Sequence, residues 1–139
     1  MMVTKGSTTA VNLRGLLFIE PRRPEQGPPV IDSLTRRMAA AMQHAVPGTW
    51  QGGHFNSSDG WMGWHTCACG ATSDNHDYLL ANGMVTNSLC VHYLAQHRLD
   101  VPQDELRKVL ALPYEEAQPT WEQLHPKKLC KTATGWRFE

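Results

Sequence analysis

Residues 67–92 read CACGATSDNHDYLLANGMVTNSLCVH, and this stretch carries the clearest structural signals of the sequence. Asn82-Gly83 separates two short apolar runs within it, and that dipeptide is the strongest short-range signal for a β-hairpin. An extended segment precedes the hairpin. A helix that reaches about Arg98 follows it, with a cap in the run Thr86–Ser88. The stretch therefore predicts a unit of strand, hairpin and helix over about residues 61–98.

Two closely spaced pairs of metal-binding side chains flank the hairpin. In an extended strand, residues two apart point to the same face, so Cys67 and Cys69 would present both sulfurs to one side. Cys90 and His92 are also two apart, and both reach one ion only if Cys90 lies at the start of the helix. Three sulfurs and one imidazole make a closed, four-coordinate site of the structural kind, and the expected metal is Zn²⁺. The predicted ligands are Cys67, Cys69, Cys90 and His92.

Other histidines compete for the fourth place. His97 lies seven residues after Cys90, about 10 Å along the helix axis, which favours His92. His65 and His76 are close to the cysteines in sequence, and we expect them to support the site or to lie on the surface. Whether His65, His76 or His97 replaces His92 stays open at this point. Buried free cysteines or disulfides are the alternatives to a metal, although a Cys-x-Cys disulfide would be strained.

The arrangement Cys-x-Cys, spacer, Cys-x-His on two strands and a helix resembles the SWIM-type zinc finger. The positions of that motif fall on the four predicted ligands, and the resemblance covers about residues 61–98, less than a third of the chain. It implies zinc coordination by those side chains. SWIM fingers occur in chromatin remodellers, transposase relatives and ubiquitin-pathway proteins, where they mediate DNA or protein contacts. The resemblance thus implies a binding module.

The remaining sequence predicts a small single domain, residues 1–139, of the α+β class, in which the zinc-finger-like unit packs with additional helices. Apolar residues at helical spacing predict a helix over 33–45, with Asp32 or Ser33 as its cap. Further helices are expected after Pro102 and at a capping box, Thr120-x-x-Gln123. Loops are predicted over 21–30 and 47–60, and a last strand over 134–138.

Composition narrows the function. Thirteen basic and thirteen acidic residues give a formal net charge of zero, and the segment from Met38 to His97 contains no Lys or Arg. Because phosphate contacts need cations, nucleic-acid binding is possible only through basic residues nearer the termini and is not favoured. Hydrolytic zinc enzymes usually need a nearby glutamate, and none stands between Glu25 and Glu105. We therefore lean against an enzyme.

We expect a protein without a membrane segment, cytoplasmic because clustered thiols stay reduced inside cells. Its expected task is that of a protein-interaction adaptor, with the surface from Trp50 to Trp64 as the contact region. The aromatic residues near the cysteines either recognise a partner or form the small core beside the metal: Phe55, Trp61, Trp64 and Tyr78. The alternatives are a metal- or thiol-dependent enzyme and a nucleic-acid binder. The sequence names neither the partner nor the oligomeric state.

Overall fold

The structure, a computed structural model, describes residues 9–10, 14–23, 28–51, 53–57, 60–61, 65–132 and 135–138. Its helices are α1 Ser33–Gln43, α2 Cys90–Gln96, α3 Gln103–Leu110 and α4 Trp121–Leu124, and a short 3-10 turn spans Arg98–Asp100. Its strands are β1 Thr9–Ala10, β2 Arg14–Gly15, β3 Val46–Gln51, β4 His54–Asn56, β5 Asp77–Leu79, β6 Met84–Asn87, β7 Leu129–Thr132 and β8 Gly135–Phe138.

Six strands form one mixed sheet in the order β1-β4-β3-β5-β6-β2. Neighbouring strands in this sheet are antiparallel, except that β2 runs parallel to β6. β5 and β6 make the hairpin predicted from Asn82-Gly83, and Gly83 has a φ of 90°, a backbone conformation that favours glycine. Together with the helices, the sheet confirms the prediction of a small α+β domain.

The prediction of a loop over 47–60 was wrong for its first part, because β3 and β4 form a hairpin there. The glycine- and serine-rich composition obscured a cross-strand pair in which Trp50 lies opposite Phe55. Phe55 is fully buried, and such aromatic pairs are the unit that stabilises a sheet. In the other predicted loop, residues 21–23 and 28–30 form no helix or strand, and the positions between them lie outside the described residues.

Helix α1 begins as predicted at an Asp32 cap, whose side chain accepts a hydrogen bond from the Thr35 backbone N–H. It ends at Gln43, two residues earlier than predicted, because strand β3 begins at Val46. α1 packs against α2 and α3. The core between the helices and the sheet includes Leu16, Leu17, Met38, Leu80, Leu89, Val91, Leu94, Val109 and Leu112.

The predicted cap of α2 in the run Thr86–Ser88 was wrong. Strand β6 continues to Asn87, and Leu89 occupies the cap position without a side-chain hydrogen bond of its own. The Asn87 side chain still serves the turn, since its Oδ1 accepts a hydrogen bond from the Leu89 backbone N–H at 2.8 Å. Cys90 is consequently the first residue of the helix.

The elements predicted for the C-terminal part of the chain are present in the structure. α3 begins after Pro102, and the capping box of Thr120 and Gln123 opens α4 with both of its reciprocal bonds present. β7 and β8 pair as a separate two-stranded sheet that ends at Phe138. Within the described part of the chain, every helix is too short or too polar to cross a lipid bilayer.

Candidate metal centre

A tight turn presents the first two candidate ligands. The Gly70 backbone N–H donates to the Cys67 carbonyl at 2.9 Å, and the Cys67 N–H donates to the Ala71 carbonyl at 2.7 Å. Gly70 has a φ of 96°, which lets the chain reverse directly after Cys69. The expectation of an extended Cys-x-Cys segment was therefore wrong. A turn, not a strand face, brings the two sulfurs to the site.

One imidazole comes from the first turn of α2 and the other from the residue after the helix. His92 lies within the helix and is fully buried, and His97 is the C-cap residue. In an uninterrupted helix, side chains five residues apart point about 140° away from each other. At His97 the backbone leaves the helix, with φ −129° and ψ 34°, and the centroids of the two rings lie 4.9 Å apart.

The cysteine turn and α2 with its C-cap residue bring four potential metal-binding atoms close together. The sulfurs of Cys67 and Cys69 and the imidazoles of His92 and His97 offer donors that all lie within 4.8 Å of one another. Cys67 Sγ is 3.3 Å from His97 Nε2, and Cys69 Sγ is 3.3 Å from His92 Nε2. In a tetrahedral zinc site, bond lengths of about 2.3 Å to sulfur and 2.0–2.1 Å to nitrogen place donors about 3.3–3.8 Å apart. The group therefore fits a four-coordinate ion after small side-chain adjustments.

Within the group, the two thiols differ in their affinity for a proton. The hydrogen bond with Cys69, together with burial, raises the pKa of Cys67. The bond from Cys67 and a second from His92 lower the pKa of Cys69. The contact between the two sulfurs thus makes Cys69 the more readily deprotonated thiol of the pair. A metal ion would bind both sulfurs as thiolates, because cysteine binds metals in that form.

In both imidazoles, the nitrogen that faces away from the cysteine sulfurs has no hydrogen-bond partner among the described residues. His92 Nδ1 and His97 Nδ1 are buried, and no described polar group lies within hydrogen-bond distance of either. In most metal sites a carboxylate or carbonyl accepts from this nitrogen and fixes the ring. Here packing holds the rings instead, since His92 is covered completely and lies against Tyr93, with ring centroids 6.0 Å apart.

The structure brings together three of the predicted ligands, Cys67, Cys69 and His92, and adds His97. Cys90 is not in the group. Its thiol is fully buried beside Thr86, and burial raises its pKa to about 12. Cys90 is the first residue of α2, as the ligand prediction required, but that position is not sufficient: its backbone is already helical, and residues two apart in a helix point to nearly opposite sides. The identity of the ligands stays a prediction, with His97 as the structural competitor of Cys90.

A sequence signal for His97 exists in its spacing from His92. His-x₄-His falls within the His-x₃₋₅-His range of zinc sites with two cysteines and two histidines. The sequence prediction considered only the spacing between Cys90 and His97, which is too long for one site, and not the spacing between the two histidines. His65 and His76 are not in the group; His65 is exposed and His76 half-buried.

The predicted aromatic surface divides into two parts. Phe55 belongs to the core, whereas Trp50 and Trp61 line a cavity beside the turn that carries the cysteines. Tyr78 is half-buried, and its hydroxyl donates to Asp74. Trp64 lies outside the described residues.

The chain matches no model of a known protein family, no curated protein and no solved structure. The likeness to SWIM fingers therefore rests on the residues alone. What the structure supports is a possible metal-binding group in a small α+β protein. In the described residues this group contains two cysteines and two histidines, whereas the SWIM pattern has three cysteines and one histidine.

Proposed function

We propose that this protein is a zinc-binding module in which the metal has a structural role and the surrounding surface binds a partner protein. The observation that carries the proposal is the convergence of four soft or borderline donors within 4.8 Å. Thiolate and imidazole suit zinc, and two of each make a closed shell without an open position for substrate. A closed shell favours a structural role over a catalytic one.

Burial of the donors also favours a structural role. Cys67, His92 and His97 are buried, and Cys67 packs with the main core. The metal would link the turn of residues 67–70 to α2 and its C-cap residue, two segments that are far apart in sequence. A small domain with short helices gains stability from such a link: because the unfolded chain lacks the site, the free energy of metal binding stabilises the folded state.

A protein partner is favoured over nucleic acid by the engagement of several arginines within the fold. Arg36 pairs with Glu116 at 2.6 Å, and the Arg37 side chain donates to the backbone carbonyls of Leu112 and Tyr114. Arg23 forms an ion pair with Asp100. These cations are less available for phosphate contacts, which dominate affinity for nucleic acid.

A thiol-dependent enzyme is the second candidate, since Cys69 Sγ and His92 Nε2 lie 3.3 Å apart, within the range of a nucleophile and its base. The two candidates differ in what happens to Cys69 when zinc is supplied. A structural site protects both cysteines of the turn from alkylation by iodoacetamide in a zinc-dependent way. A nucleophile reacts rapidly whether or not zinc is present.

Elemental analysis of the purified protein, combined with thermal melts in the presence and absence of a chelator, tests the proposal. We expect one equivalent of zinc, and a large decrease in Tm when the chelator is added. Cys67→Ser and His92→Ala should lose both the metal and the chelator effect. The matched control is His65→Ala, an exposed histidine two residues from Cys67. A metal-free protein whose melt ignores the chelator would contradict the proposal.

A further inference from the structure

A cavity of about 400 Å³ is lined in part by His65, two positions before the candidate ligand Cys67. Its walls include three aromatic side chains, Phe18, Trp50 and Trp61, and two carboxylates, Asp74 and Asp77. Its size lies within the range of small-ligand sites, about 300–1,000 Å³. Neither the metal-binding group nor the core accounts for this concentration of aromatic and acidic groups.

Fixed contacts hold the aromatic walls in place. Asp77 is buried, and its Oδ2 accepts hydrogen bonds from the Trp61 indole N–H at 2.7 Å and from the Trp50 backbone N–H at 3.0 Å. The ring of Phe18 lies 5.4 Å from that of Trp50, at an angle of 41°. Asp77 therefore holds both tryptophan residues, and Phe18 packs against Trp50. A preorganised cavity binds with a smaller entropic cost.

A fourth ring of the cavity, that of His65, belongs to the segment that leads into the cysteine turn. His65 lines the cavity two residues before Cys67, and its backbone exchanges hydrogen bonds with Ser73 across the turn. The ring of His65 packs edge-on against Phe18, with centroids 6.4 Å apart. The turn that carries the candidate metal ligands thus also shapes the cavity.

The charge of the cavity favours a cation. The faces of aromatic rings are electronegative and attract cations, most strongly for Trp. Asp74 and Asp77 add formal negative charge, and no Lys or Arg is among the described residues that line the cavity. An anionic ligand would meet repulsion here.

The hydrogen bonding of the carboxylates favours a cation with few N–H donors. Asp77 already accepts from two tryptophans, and Asp74 accepts from the His76 backbone N–H and the Tyr78 hydroxyl. An unmethylated ammonium or a guanidinium would give up hydration at several N–H donors for two carboxylates that each already accept two hydrogen bonds, about half of their capacity. A methylated ammonium has fewer donors to satisfy, and aromatic cages bind it through cation–π attraction.

We propose that this cavity binds a methylated lysine side chain of the partner protein. The inference rests on the proposed function, since it names the chemistry that the interaction module recognises. The apolar stem of the lysine would lie along Phe18, which is 39% exposed. The methylated ammonium would lie between Trp50 and Trp61, with Asp74 and Asp77 supplying charge without new hydrogen bonds.

Fluorescence titration of the zinc-loaded protein tests the proposal, because two of the five tryptophans of the chain, Trp50 and Trp61, line the cavity. The probes are a short Gly/Ser peptide with one trimethyl-lysine, the same peptide with lysine or arginine, and the neutral tert-butyl isostere of trimethyl-lysine. We expect the trimethyl-lysine peptide to bind about tenfold more tightly than the others. Equal affinities, or no saturable change, would overturn the proposal. Tighter binding of free choline than of the peptide would overturn the assignment to a protein-borne side chain.

Substitutions in the cavity distinguish its role in peptide binding from the role of the metal. Phe18→Ala and Trp61→Ala should each weaken binding of the trimethyl-lysine peptide about tenfold while keeping one equivalent of zinc. Trp121→Ala is the matched control, because Trp121 is 70% exposed and is not among the residues that line the cavity. A protein that holds zinc but does not prefer trimethyl-lysine would refute this inference alone. A protein that prefers trimethyl-lysine but holds no zinc would refute only the metal part of the proposed function.

Discussion

The Nε2 atom of His97 lies 3.3 Å from the Sγ atom of Cys67, across thirty positions of sequence. This contact depends on where α2 ends. His97 leaves the helical path as the C-cap residue, and its ring turns toward His92 instead of continuing around the helix. The end of the helix therefore contributes to the candidate metal site as directly as the cysteine turn does.

Separate substitutions of His97 and of Cys90 should show which of the two possible ligand sets binds the metal. We expect His97→Ala to weaken zinc binding by more than the 10- to 100-fold that loss of an outer-shell partner costs, since a direct ligand is removed. Cys90→Ala should keep the metal and lose only about 1 kcal/mol of stability from a small core defect. Metal content and a competitive zinc titration measure both effects.

Cobalt substitution provides the control for this comparison. The sulfur-to-cobalt charge-transfer absorption grows with the number of thiolate ligands, so the wild-type protein and Cys90→Ala should give the same spectrum. Loss of about a third of that absorption in Cys90→Ala, with an unchanged spectrum in His97→Ala, would instead support the set Cys67, Cys69, Cys90 and His92.

The features that could be predicted from sequence are those that neighbouring residues determine. The hairpin at Asn82-Gly83 and the capping box of Thr120 and Gln123 depend on local backbone and side-chain chemistry, and both are present. The hairpin of β3 and β4 depends on pairing Trp50 with Phe55 over a buried face, which the glycine-rich composition did not reveal.

The candidate site divides in the same way. Cys67, Cys69 and His92 could be predicted because residue type and spacing point to a metal. The orientation of Cys90 and His97 could not, since it depends on the backbone geometry at the two ends of α2. At the start of the helix, Cys90 is already helical and its side chain is buried in the core; at the other end, the backbone leaves the helical path at His97.

Asp32 should be a stabilising helix cap whose loss is measurable. It accepts a hydrogen bond from the Thr35 N–H, and it pairs with Arg98 at 2.7 Å. We expect Asp32→Ala to lower the free energy of unfolding by about 1–2 kcal/mol, mostly from the cap, because the carboxylate is partly exposed and its ion pair is screened. Urea unfolding measures the loss. Asp104→Ala should change little, because the Asp104 side chain is 82% exposed in its ion pair with Arg107.

The same residue predicts a pH dependence. The hydrogen bond from Arg98 holds the pKa of Asp32 well below its usual range. A carboxyl group with a depressed pKa stabilises the fold fully above its unfolded pKa of about 3.9, and this contribution falls as the pH drops toward the folded value. The stability difference between wild type and Asp32→Ala should therefore shrink below about pH 4. A difference that stays constant down to pH 2 would contradict this role.

Gly48 should tolerate no side chain, because β3 passes close to β4 at this point. A Cβ atom there would meet the carbonyl oxygen of Asn56 and come within 2.7 Å of Phe55 Cζ. Backbone cannot yield as a flexible side chain does, so we expect Gly48→Ala to cost about 3 kcal/mol. Gly83→Ala is the control: no atom lies within 4 Å, and only the positive φ opposes it, at about 1–2 kcal/mol. Chemical denaturation of both variants gives the comparison, and equal losses would show that steric crowding at Gly48 is absent.

Leu17 is a buried non-glycine residue with a positive φ of 59°, and its neighbours hold it in that conformation. Its backbone N–H donates to Glu105 Oε1 at 2.7 Å, and its carbonyl accepts from the Asn87 side chain at 2.9 Å. The Lys108 ammonium donates to the other oxygen of Glu105 at 2.6 Å. Glu105 thus ties α3 to the segment that follows β2.

Glu105→Ala should destabilise the protein by about 1–3 kcal/mol, because it leaves the buried Leu17 N–H without an acceptor. Glu105→Gln should recover part of this loss, since a carboxamide oxygen can still accept from Leu17 although the ionic contact with Lys108 is gone. Urea unfolding compares the two variants, and hydrogen exchange of the Leu17 amide reports on the bond itself. If the amide of Leu17 remains equally protected in Glu105→Ala, Glu105 is not its acceptor, and the positive φ must be held by core packing and the Asn87 contact.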